Sequence, residues 1–178
     1  MNRNSLLSLL AAYNTTDVEE AKMLTEMKNF VAENKDCFER TFAPGHVTAS
    51  GWIVSEGGDQ VLMMHHRKLD RWFQPGGHCD GDPDVLSVAR KEVEEETGLL
   101  NFSVAKEGVF DVDIHLIPAN SKDAAHYHYD VRFLFKADAA TELTINSESR
   151  DLRWIPLSKV QDYNNSESIL RMARKTTS

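Results

Sequence analysis

Apolar positions in the first part of the chain recur at helical spacing, and past residue 43 the rhythm becomes that of strands. Leu6-Leu7-Ser8-Leu9-Leu10 lies in a segment that predicts a helix over residues 4–13. A longer helix is predicted over 17–34, where Ala21, Leu24, Met27 and Val31 line one stripe and Thr16 with Glu19 makes a capping box. A stripe of this kind packs on the rest of the domain or on a partner subunit, so a homodimer is one expected state.

Phe42-Ala43-Pro44-Gly45 marks the change of character. His46–Ser55 is β-branched enough for a strand, Glu56-Gly57-Gly58-Asp59 turns it, and Gln60–His66 returns as the second arm of a hairpin. Ile53, Val61 and Leu62 are expected in the core, with Trp52 beside them. Further strands are predicted over Gly108–Ile117, His126–Lys136 and Leu152–Ile155, and helix resumes from Ser158. Elements mixed in this order predict an α/β fold, an α/β/α sandwich around a mixed sheet, with a main domain over 44–178 and a helical extension over 1–43.

The stretch that carries chemistry lies between the hairpin and the third strand. A glycine turn, Gly76-Gly77, opens an acidic loop, Asp80-Gly81-Asp82-Pro83-Asp84. Asp82 as N-cap with Pro83 at the first helical position would start a helix that Gly98 stops. On it, Leu86, Ala89 and Val93 share an apolar stripe, and Glu92, Glu95 and Glu96 converge on the adjoining one. Two readings compete. The carboxylates form a solvated face, or they hold a hard divalent cation where hydration is partial.

The same stretch resembles the Nudix box, G-x5-E-x7-R-E-U-x-E-E-x-G-U with U apolar. Gly77, Glu92, Val93, Glu95, Glu96, Gly98 and Leu99 match at the family spacing, while Pro83 stands at the first glutamate and Lys91 at the arginine. The resemblance implies the Nudix version of the sandwich and a pyrophosphohydrolase that uses Mg²⁺ or Mn²⁺. Its small-molecule substrate would be a nucleoside diphosphate linked to another moiety through a phosphoanhydride bond. It implies metal binding by Gly76, Glu92, Glu95 and Glu96, with Glu148 as a downstream ligand or base, and makes Glu92, Glu95 and Glu96 the catalytic candidates. Lys91 would support the carboxylates without the rigid bidentate fork of arginine. Asp80, Asp82 or Asp84 could supply the carboxylate that Pro83 removes.

Two other functions fit parts of the sequence. Pro83 and Lys91 suit a non-catalytic nucleotide-binding sensor. His78-Cys79 with His126 and His128 resembles the isopentenyl diphosphate isomerases, which share the fold.

Charge narrows the partners. A net charge of −8 and a pI near 5.3 argue against general nucleic-acid binding. Arg67, Lys68 and Arg71 make a local basic patch suited to phosphate, or else a solvated connector. On a strand, His126, His128 and Asp130 project to one face, as a substrate or metal surface or as ordinary surface polarity. Two cysteines, Cys37 and Cys79, without Cys-x-x-Cys spacing predict a reducing, cytoplasmic setting. Leu6–Ala12 lacks the basic start of a secretory leader, and no apolar run reaches membrane-spanning length.

Overall fold

The computed structural model describes residues 2–121 and 124–177. Its elements in chain order are α1 (Arg3–Ala12), α2 (Val18–Glu33), β1 (Gly45–Ser55), β2 (Gln60–His66), β3 (Arg71–Phe73), β4 (Gly76–His78) and α3 (Val85–Thr97). They continue with β5 (Phe102–Val104), β6 (Asp111–Ile117), β7 (His126–Ala137), β8 (Ser149–Pro156), α4 (Val160–Tyr163) and α5 (Glu167–Thr176).

Strand β1 is the axis of the sheet and is buried along its whole length. It runs parallel to β7 from Gly45 opposite Tyr127 to Ser55 opposite Ala137. On its other side, one end pairs with β4 and the other with β2, both antiparallel. Strand β7 likewise divides one edge between β6 and β5, and β2 one edge between β1 and β3 with β8 along the other, which gives a mixed sheet of eight strands. The expected α/β sandwich is therefore the fold observed.

Pleat alternation sorts the β1 side chains. Val47, Ala49 and Ile53 face α1, α2 and α3, and share one apolar core with Leu10, Met27, Val31, Ala89 and Val93. Trp52 and Val54 face the other way and pack with Ile155, Val160, Ile169 and Met172. That second face is apolar only at the α5 end. Farther along, Arg132 binds Asp130 and Asp111 while Arg171 also binds Asp111, and beyond this ionic layer lie histidines.

The first two helices pack on the domain itself, as one of the two expectations had it. A buried ion cluster also fastens them. Glu20 Oε1 accepts from Tyr13 Oη at 2.6 Å, Lys175 Nζ at 2.6 Å and the Val112 N–H at 3.0 Å, joining α2, α5 and β6. Burial leaves such a carboxylate dependent on these partners.

Several local readings need correction. The N-cap of α3 is Asp84, which accepts from Ser87 N–H at 3.1 Å. Asp82 instead accepts from Asp84 N–H at 2.8 Å, so Pro83 precedes the helix. Gly98 does end it, with φ of 74°. At α2 the cap is Asp17, bonded to Glu20 N–H, because Glu20 and not Glu19 turns inward. Leu86 is only partly buried and Val85 and Val88 complete the inner face. Strands β3, β4 and β5 were not expected; at three residues each they are too short to show alternation.

Candidate active site

Strand β4 and helix α3 bring the glycine turn and the glutamates together. The Gly76 N–H donates to Glu96 Oε2 at 2.9 Å. Gly77 lets the Glu92 carboxylate lie against the strand, since a Cβ at residue 77 would fall 2.6 Å from the carboxylate carbon. Among the described residues, the Gly76 N–H is the only hydrogen-bond donor to either carboxylate.

Burial then sets the electrostatics. Glu96 is 5% exposed, and its carboxyl is pushed up to about 8, first by desolvation and then by repulsion from Glu92, Glu148 and Glu95, against the Gly76 N–H. Glu92 is raised too, by desolvation and by Glu95, with Lys91 partly offsetting. Glu95 points outward and meets Lys91 Nζ at 3.6 Å, an exposed i,i+4 pair. Lys91 thus contacts the outermost of the three carboxylates.

Glu148 lies in the exposed loop before β8, close enough that its charge raises both Glu92 and Glu96. Asn146 ties that loop to α3 by donating to the Glu95 carbonyl at 3.3 Å, and accepts from Glu148 N–H at 2.9 Å. Arg67 braces the same loop, donating to the carbonyls of Ser147 at 3.1 Å and Ser149 at 2.9 Å. Arg71 lies over the Phe73 ring and donates to Asn164 Oδ1 at 3.4 Å. Lys68 is exposed in the β2–β3 turn. Neither Lys68 nor Arg71 pairs with a carboxylate of α3, so the basic patch and the acidic cluster are not joined by contacts.

His126 and His128 do share a face of β7, as alternation predicts, and Asp130 follows them. Asp130 is consumed by neighbours, accepting from Ser50 Oγ at 2.7 Å, Thr48 Oγ1 at 3.1 Å and Arg132 Nε at 2.8 Å. Around His128 stand His46 at 4.8 Å, His78 at 5.1 Å, His126 at 5.2 Å and His115 at 5.4 Å between ring centroids. Burial is the first cause that holds His46 down to about 4 and depresses His78 and His128 as well, so these rings are neutral at pH 7. Sequence reading missed His46 and His115 because nothing local reveals that β1, β6 and β7 are neighbours.

The NUDIX domain family model matches residues 44–174. The chain belongs to the NUDIX domain family. A relative from Bacillus subtilis (strain 168), the uncharacterized Nudix hydrolase YvcI, is 28% identical over 111 residues, covering 61% of this chain and 66% of the relative. The chain thus spans just under two thirds of that Nudix relative's length. Among solved structures, a C. elegans Ap4A hydrolase binary complex aligns with a TM-score of 0.60 at 17% identity, over 74% of this chain and 94% of that one. The NUDIX domain of Shewanella oneidensis NrtR, complexed with ADP ribose, aligns at 0.56 and 16% identity, over 84% and 95%. At these identities the structural likeness establishes the Nudix fold. No helix among the described residues is long and apolar enough to cross a membrane.

Proposed function

We propose that the chain is a divalent-cation-dependent pyrophosphohydrolase acting on a nucleoside diphosphate linked to another moiety. The observation that carries this reading is the packing of Glu92 and Glu96 against β4. Two acidic groups are held in a half-buried recess, repel each other, and meet only one backbone donor. Such a pair is costly to ionise alone, and a hard cation offsets that cost. A Mg²⁺ or Mn²⁺ ion bound there would neutralise nonbridging phosphate oxygens and lower the pKa of a bound water.

In this reading Glu92 and Glu96 are the inner ligands, with the Gly76 carbonyl beside them. Glu92 also serves as the proton acceptor for the attacking water, because burial and the neighbouring Glu95 charge make it more basic than an ordinary carboxylate. Glu95, exposed, takes an outer position. Glu148 supplies a further carboxylate from its braced loop, and Arg67 acts by holding that loop. Lys68 in the β2–β3 turn and Arg71 at the start of β3 give the distal phosphate a cationic approach.

The test is a panel of ADP-ribose, diadenosine polyphosphates, nucleoside triphosphates, nucleotide sugars and isopentenyl diphosphate, assayed with Mg²⁺, with Mn²⁺ and after chelation. Chelator-sensitive release of a nucleotide product supports the proposal. Saturable binding without turnover would instead indicate a sensor, and isomerised allylic diphosphate an isomerase.

A further inference from the structure

We infer that His46, His78 and His128 form a second metal site, one that takes a borderline divalent transition ion such as Zn²⁺, Co²⁺ or Ni²⁺. It is separate from the carboxylate recess.

Three adjacent strands supply the donors. His46 on β1 lies directly opposite His128 on β7, and His78 on β4 lies opposite Thr48, two residues along β1. Gly76 and His78 face the Ser50 side of the sheet, whereas Gly77, between them, faces Glu92. The histidines and the α3 carboxylates therefore occupy opposite faces of β4. One ring nitrogen from each of the three histidines lies within 4.8 Å of the others.

The hydrogen-bond inventory points to a ligand. His46 is 1% exposed, and neither of its ring nitrogens has a partner among the described residues. The same holds for the buried Nε2 atom of half-buried His128. Buried polar side chains are normally paired, and these three rings, tilted or edge-on to one another, make no hydrogen bond among themselves. A cation at the centre would take one nitrogen from each of the three rings.

The donor set selects the ion. Three neutral imidazoles without a carboxylate suit Zn²⁺, Co²⁺, Ni²⁺ or Cu²⁺ and not Mg²⁺. Zn–N bonds of about 2.0–2.1 Å in a tetrahedral site place the nitrogens about 3.3 Å apart, so the rings close inward on loading. Three protein ligands leave a position for water or a substrate oxygen, the pattern of an open site. Beside the cluster, His115 Nδ1 sits 3.1 Å from Asp113 Oδ2 and His126 Nδ1 lies 2.8 Å from the Ala124 carbonyl, contacts that orient these two further rings.

The test is a Co²⁺ titration of the chelator-stripped full chain, in excess Mg²⁺ and without substrate, followed by visible absorption. One equivalent is expected to give d–d bands that Zn²⁺ abolishes. His46→Asn, His78→Asn and His128→Asn should each weaken binding at least about 100-fold, given that losing even an outer-shell partner costs about 10–100-fold. Circular dichroism checks folding, and X-ray absorption on the wild-type protein should count three imidazole nitrogens whether or not a variant folds. Glu92→Gln with Glu96→Gln should leave the bands intact. No spectral change with the wild-type chain, or bands that survive in folded His78→Asn and vanish in the double glutamate variant, would overturn the inference. Neither result bears on phosphoanhydride hydrolysis, which is assayed separately.

Discussion

Glu96 makes the stability of the metal-free protein fall as pH rises, contrary to the usual behaviour of a paired carboxylate. Its carboxyl moves from an ordinary 4.5 to about 8 on folding, chiefly because it is buried. The folded state therefore binds more protons than the unfolded state between those two values, and unfolding becomes easier across that window. At 1.36 kcal/mol per pH decade the loss amounts to about 5 kcal/mol at most, complete by about pH 8. Urea denaturation of chelator-treated protein from pH 5 to 9 measures it directly. Glu96→Gln keeps the acceptor for the Gly76 N–H without the charge, so its stability should change far less over the same range. Millimolar Mg²⁺ at pH 8 should restore most of the wild-type loss and leave the variant nearly unaffected. Parallel pH curves for the two proteins in chelator would refute the argument, because burial of Glu96 would then cost nothing.

Other positions carry separate predictions. Gly77→Ala places a methyl 2.6 Å from the Glu92 carboxylate carbon, the mobile end of a side chain, so it should cut kcat about 10²-fold by misplacement while melting changes little. Full activity in that variant would show that Glu92 need not lie on the strand. Glu20→Gln leaves Lys175 and Arg171 short of a buried partner and should cost about 3–5 kcal/mol in urea denaturation; a loss under about 1 kcal/mol would mean the cluster is not what fastens α2. Lys91→Arg changes an exposed pair with Glu95 and should preserve turnover, whereas complete loss would contradict a merely supporting role.

The sequence made the frame of the molecule readable because its signals there are local. Apolar periodicity placed α2 and β2 to within a residue or two, and the box glutamates landed on one helix beside the glycine turn. Helix starts were less legible, since Asp17 competes with Thr16 and Asp84 with Asp82, and only the finished backbone decides which side chain reaches the third N–H beyond it. The inequality of the three glutamates was hidden as well. Glu96 and Glu92 turn in and Glu95 turns out because of where β4 lies, which a three-residue strand does not announce. The histidine cluster depends wholly on long-range pairing. His46 and His128 are 82 positions apart and become neighbours only through the parallel register of β1 and β7.

The central claim is that Glu92 and Glu96 together hold the ion on which hydrolysis depends. Steady-state turnover of Glu92→Gln and Glu96→Gln, each checked for native folding and assayed at saturating Mg²⁺ on a substrate the wild-type enzyme cleaves, tests it most directly. A fall of at least about 10²-fold in both is the predicted result. Undiminished Mg²⁺-dependent turnover in both folded variants would contradict it.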